Sequence, residues 1–265
     1  MASVSNHQPV ASMFVWFHKL GSPPHVYRLS LRLTPWLGGL TLALLGIGTF
    51  WGLVIAPPDY QQSDSYRIIF IHVPSAWLSM FVYVVMASAG AVALVWRMKL
   101  AEVVMRQAAP LGASFTLLTL ITGSLWGKPM WGTWWEWDAR MTSELILLFL
   151  YLGVIALQSA FEDPRTGTRA AAILALAGTV NIPIIHYSVV WWNTLHQGPT
   201  IMKLDTPSIT LDMLLPLLVM AVAFKLCFVT LLLKRTRCDL LESEANSGWV
   251  RRLRQVHNVG SGGTA

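Results

Sequence analysis

The chain has 265 residues, 54% of them hydrophobic and only 12% charged, with a net charge of +6, and its mean hydropathy is +0.53. Soluble domains carry about 25% charged residues, so too few are present to cover a water-facing surface. That excludes a soluble enzyme as the default and points to an integral membrane protein. Tryptophan is a second departure, with 13 residues, five of them between Trp126 and Trp137.

A membrane span needs about 20 mostly apolar residues to cross about 30 Å of hydrocarbon. Six stretches meet this in chain order: 35–56, 68–96, 108–125, 142–161, 170–190 and 211–233. The expected fold is therefore all-α and polytopic, with six transmembrane helices. An N-terminal tail (1–34) precedes a membrane domain (35–233), and a C-terminal tail (234–265) follows it, with no room for a separate soluble domain. No Lys or Arg precedes Lys19, and the apolar piece at 13–17 is too short for a signal peptide, so the first span does the targeting.

Orientation follows from Lys and Arg, which stay on the cytoplasmic side. Lys19, Arg28 and Arg32 share one side with Arg97, Lys99, Arg106, Arg165 and Arg169. Lys234, Arg235, Arg237, Arg251, Arg252 and Arg254 join them there, against Arg67, Lys128, Arg140 and Lys203 opposite. Both termini are expected in the cytoplasm, with a Trp-rich external loop (about 126–141) between helices 3 and 4. Topology accounts for the positive charge, so no nucleic-acid partner is implied; the lipid bilayer is the expected surroundings. Cys227 and Cys238 form neither C-x-x-C nor C-x-x-C-H, which excludes a thioether-linked haem on this chain.

His72 and His186 fall on the outward side, each a turn or two from a helix end and each near a proline, Pro74 or Pro183. Ionisable groups within spans are costly and tend to be functional. Proline kinks a helix, so the two imidazoles are expected to point into one pocket between kinked helices. His196, in the polar stretch at 193–198, is read as an ordinary loop histidine. Trp126, Trp131, Trp134, Trp135 and Trp137, with Gly127 and Gly132 between them, exceed what interfacial anchoring requires. Indole faces bind planar π systems, and glycine lets backbone approach a flat ligand. With Lys128, Arg140 and Arg67 nearby, the set suits a large planar ligand carrying a metal and acidic groups. Haem fits that description: histidine ligates its iron and Arg or Lys pairs with its propionates. Asp138 is expected to cap the fourth span, with Glu144 following it.

The stretch WGTWWEWDAR resembles the tryptophan-rich WWD signature of a haem-handling family of cytochrome c maturation. Six spans in this length are similar to its haem exporter C branch (CcmC). YRIIFIHVP, GSLWGKPMWGTWWEWDARMTSELILLFLY and NIPIIHYSVVWWNTLHQG extend the likeness over spans two to five. The resemblance implies a bacterial inner-membrane protein with its haem site facing the periplasm. By matching IHVP and IIHY it implies His72 and His186 as the axial, iron-ligating pair. It further implies that the WWD loop, with Trp126, Lys128, Trp131, Trp134, Trp135, Trp137, Asp138 and Arg140, holds haem in transit for the periplasmic chaperone CcmE. The ATP-binding-cassette transporter subunits CcmA and CcmB and the small single-span protein CcmD are the implied companions.

No nucleophile or acid–base pair stands out, and no G-x-x-x-x-G-K-[ST] loop is present. A handling and transfer protein is expected rather than an enzyme, with a part in forming the chaperone–haem bond left open. The residues by themselves also fit a b-type electron-transfer protein with a permanent haem. A secondary transporter with an aromatic cage is the third class, although such sites lie near the midplane between repeats.

Overall fold

Six helical segments of the computed structural model are long and apolar enough to cross a membrane: Pro23–Ile55, Asp64–Trp96, Lys99–Trp131, Ala139–Ser159, Pro164–Trp191 and Leu211–Ser243. The structure describes residues 21–192, 194, 196 and 209–261, with side chains through residue 255. Lys19 and Lys203, which entered the charge reading, lie outside them. Among the described residues the only strand-like pairing is an isolated bridge between Asp59 and Ser63. The expected all-α, six-span architecture is therefore the one observed.

Helix α1 (Pro23–Phe50) starts well before residue 35, because Pro23 and Pro24 occupy the first turn, where a missing N–H costs nothing. It runs into a π-helical turn, Trp51–Ile55. The connection onward is pinned by side chains. Asp59 Oδ1 accepts from the Gln61 and Gln62 N–H groups, the Tyr66 hydroxyl donates to Pro57 O at 2.6 Å, and Arg67 Nη1 donates to Gly52 O at 2.8 Å. A short 3-10 turn, Asp64–Ile68, leads into α2 (Ile69–Trp96), which Arg97 ends in a left-handed conformation.

Helix α3 (Lys99–Trp131) overruns its expected span at both ends and stops at Gly132, whose φ of 78° favours glycine. Trp126 and Trp131 are thus helical, and the irregular part of the Trp-rich segment is shorter than expected. Helix α4 (Ala139–Ser159) is capped by Asp138, which accepts from Met141 N–H at 2.8 Å. The fifth span is broken: α5 (Pro164–Ala177) passes through a 3-10 turn, Gly178–Val180, into α6 (Asn181–Trp191). Gly178 lies where a Cβ would overlap the Tyr83 hydroxyl, so the absence of a side chain lets this segment lie close against α2.

The core lies where α2, α3 and α4 meet, around Tyr83, Met86, Met105, Leu147 and Tyr151. The Tyr151 hydroxyl donates to Ser79 O at 2.7 Å, satisfying a polar group that hydrocarbon would not. Helix α1 rests mainly on α7 (Leu211–Ser243) and turns Trp36, Leu42 and Phe50 outward. Helix α7 continues past residue 233 because its extension is anchored. Arg106 holds Asp239 through two bonds of 2.8 and 2.7 Å, and Leu240 is buried with Val26 and Val103. A last helix, α8 (Gly248–Ser261), packs Trp249 against Tyr27.

Candidate functional site

At the end of the bundle that carries the Trp-rich segment, four helices leave a cavity. Helix α2 contributes His72, Ala76 and Met80; α3 contributes Thr119, Leu120 and Gly123; α4 contributes Arg140, Met141 and Glu144; Ile185 of α6 and His196 close it. Water-sized occupants have about 60 Å³ inside. That is room for a few waters and far below the roughly 300–1,000 Å³ of pockets that swallow a drug-sized ligand.

His72 stands on α2, with Nδ1 at 3.0 Å from Thr122 Oγ1 and its ring edge-on to Trp126 at 5.6 Å. Thr122 spends its one hydroxyl proton on Leu118 O at 2.7 Å. Toward His72 it therefore accepts, so Nδ1 carries the imidazole proton and Nε2 keeps a free lone pair. A Cβ on Gly123 would come within 3.1 Å of the ring, so glycine gives the imidazole its space.

His196 reaches the same cavity from beyond α6. Its Nδ1 lies 2.8 Å from Asp138 Oδ2, and the Thr194 hydroxyl donates to the same carboxylate oxygen. Facing a carboxylate, Nδ1 carries the proton here too, and Nε2 has no hydrogen-bond partner among the described residues. The ring of Trp131 packs on His196 at 4.9 Å. Burial pulls His196 below its ordinary pKa, against the opposing pull of Asp138. Burial would raise Asp138, but hydrogen bonds from Met141 N–H, Thr194 and His196 hold it below the usual carboxylate value.

His186 is not part of this arrangement. It is exposed on α6, edge-on to Tyr187 at 4.8 Å, while its neighbour Ile185 faces the cavity. Tyr187 in turn stacks on Trp191 at 5.2 Å. The pocket expected to hold His72 with His186 thus holds His72 with His196, the histidine read as an ordinary loop residue. Counting along a helix gives depth but not azimuth, and His186 has the depth with the wrong azimuth. The position of His196 depends on a tie to Asp138 across 58 residues of sequence, which no local pattern announces.

The tryptophans divide. Trp126 donates from Nε1 to Gln62 Oε1 at 3.0 Å, joining α3 to the pinned connection after α1. Trp135 and Trp137 pack edge to face at 5.4 Å; Trp137 is 74% exposed, as is Trp134 at 54%. Trp135 also lies over a shallow groove on α3 with Leu120, Ile121, Ser124 and Leu125. Lys128 donates to Gly132 O at 3.0 Å and lies 5.8 Å from the Trp134 ring centre. Arg140 lines the cavity and donates weakly to Ile185 O at 3.3 Å. Glu144, one turn further into α4, is buried, and its Oε1 has no hydrogen-bond partner. A buried acid within an apolar span was the available signal for it.

A family model described as "Heme exporter protein C" matches residues 16–251. The "Heme exporter protein C" of Haemophilus influenzae is 52% identical over 244 residues, 92% of this chain and 99% of that protein. Its namesake in Escherichia coli K12 is 52% identical over 241 residues, 91% of this chain and 97% of that one. A "Putative cytochrome c biosynthesis ccmC-like mitochondrial protein" of Marchantia polymorpha is 44% identical over 195 residues, 74% of this chain and 82% of its own. The matched residues include every helix that walls the cavity, and the chain belongs to the haem exporter protein C family.

Proposed function

We propose that this protein handles haem as cargo for cytochrome c biogenesis, holding the iron between His72 and His196 at the Trp-rich end of the bundle. One observation carries the assignment. Both imidazoles line a single cavity, and each has its Nδ1 proton engaged by a protein acceptor, which leaves both Nε2 lone pairs for a metal. Metal-ligating histidines use this second-shell device. Among the described residues no three or more His, Cys, Asp or Glu cluster as a site for a bare ion. A porphyrin supplies its own four nitrogens, so two protein ligands suffice.

The cavity as it stands has no room for a macrocycle, so the two imidazoles must part to admit one between them. The Trp-rich segment then offers the flanking aromatic surface, and Arg140 and Lys128 offer cations for the propionates. The distribution of Lys and Arg supports a periplasm-facing position for this end of the bundle, with both termini cytoplasmic. From that side haem would pass to the chaperone CcmE, with CcmA, CcmB and CcmD as companions. These steps are what the sequence resemblance implies; the names of the relatives support haem export. The chain acts in this scheme as a carrier rather than a conventional enzyme.

The test is visible absorption of the full-length protein loaded with haemin, with His72→Gly, His196→Gly and His186→Gly compared. Loss of the low-spin bis-histidine spectrum in the first two and its retention in the third is expected. Loss in His186→Gly with retention in His196→Gly would restore the pairing expected from the sequence. Normal spectra in both His72→Gly and His196→Gly would overturn the site.

A further inference from the structure

Leu120 borders two spaces at once. It lines the cavity that His72 and His196 share, and it lines the groove on α3 that Trp135 covers. The helical repeat explains how. Thr119 and Gly123 of α3 face the cavity, while Ile121 and Leu125 line the groove and are half exposed. At about 100° per residue, Leu120 stands on the flank between the two sets, 9% exposed. The spaces it separates are unequal, about 60 Å³ in the cavity and about 330 Å³ in the groove.

Only packing holds this side chain. Leucine has no polar atom to commit, and its staggered rotamers exchange without breaking a hydrogen bond. The cover of the groove is also loosely held. Trp135 is fixed through its backbone, whose N–H donates to Thr133 Oγ1 and whose carbonyl accepts from the same hydroxyl. Its ring Nε1 is buried with no hydrogen-bond partner. A buried donor left unmet is costly, so lifting the ring relieves a penalty instead of breaking a bond.

Resting on the two-imidazole site proposed above, we infer that Leu120 is a movable partition whose displacement joins cavity and groove into the space that receives the macrocycle. Parting the imidazoles opens a gap for the iron, but a flat ring also needs breadth in its own plane. The groove supplies that breadth, and Leu120 sets the size of planar ligand that the site accepts.

The experiment mixes haemin rapidly with the full-length protein in lipid nanodiscs and follows the Soret band. Wild type is compared with Leu120→Ala, Leu120→Val, Ile121→Trp and Ile121→Ala. The first two thin the partition, and valine covers the case in which alanine leaves a void that the fold does not tolerate. Ile121→Trp fills the groove from a half-exposed position that does not line the cavity, and Ile121→Ala leaves the groove open. Faster binding in the Leu120 variants, several-fold slower and weaker binding in Ile121→Trp, and wild-type binding in Ile121→Ala are expected. Wild-type rate and affinity in Ile121→Trp, or equal losses in both Ile121 variants, overturn the joined space and leave the His72–His196 site standing. Absence of the bis-histidine spectrum from wild type overturns the site itself.

Discussion

The Asp138 carboxylate lies 2.8 Å from His196 Nδ1 while also accepting from the Met141 N–H that opens α4. One side chain thus caps a helix and orients an imidazole, so its loss has two separable consequences. Removing an N-cap costs about 0.5–2 kcal/mol, and removing a second-shell partner of a metal-ligating histidine costs roughly 10–100-fold in affinity. Asp138→Ala is expected to show both, read by thermal unfolding in detergent and by haemin titration. Asp138→Asn, which can still accept, should recover most of the first and little of the second.

The same pair makes the haem-free protein sensitive to acid. His196 and Asp138 both have folded pKa values below their ordinary ones. The unfolded segment then binds more protons, and stability falls as pH falls. The His196 contribution is complete above its ordinary value of 6.5 and declines below it. The Asp138 contribution persists until pH drops below 3.8. Hydrogen exchange at the start of α4, corrected for intrinsic rates, should show weaker protection at pH 5.5 than at pH 7.5. His196→Gln should abolish that difference, and equal protection in wild type would contradict the linkage.

His72 is held by two small residues of α3. Thr122→Val removes the acceptor for Nδ1–H and frees the ring to take the other tautomer. A roughly 10–100-fold weaker haemin affinity is expected. Gly123→Ala acts sterically, since its Cβ would stand 3.1 Å from His72 Cε1 and push the ring by a few tenths of an ångström. Its haemin affinity should fall while the unfolding temperature stays near that of wild type.

Gly112 has a different task, because a Cβ there would overlap the buried Tyr151 ring. Gly112→Ala is expected to cost about 1–3 kcal/mol as an overpacked core, with the loss seen in thermal unfolding. Gly112→Ala combined with Tyr151→Phe should recover little, since the overlap involves ring carbons as well as the hydroxyl.

Hydropathy located all six spans because each helix must present about 20 apolar residues to hydrocarbon whatever it packs against. The ends were less legible. Helix α7 passes residue 233 through a contact between Arg106 and Asp239, and α1 begins early on paired prolines; neither raises local hydropathy. At the site, Asp138 was readable as a cap because capping is local. The partner of His72 was not, since His186 and His196 differ in a property no spacing encodes: which of them the chain turns toward the cavity. Thr122 was unreadable for the same reason, being one of many threonines that bond back to their own helix.

Helix α3 has one further consequence. Its 33 residues, at about 1.5 Å each, make a rod of about 50 Å, against a hydrocarbon core of about 30 Å. Near one tip it bears Arg106, clasped to Asp239; at the other it bears Trp126 and Trp131, the latter packed on His196. A tilt of this rod displaces the two tips in opposite directions, as a lever does about its fulcrum. One helix thus carries, beyond the hydrocarbon at its two ends, the contact that anchors the extension of α7 and the contact that packs on His196.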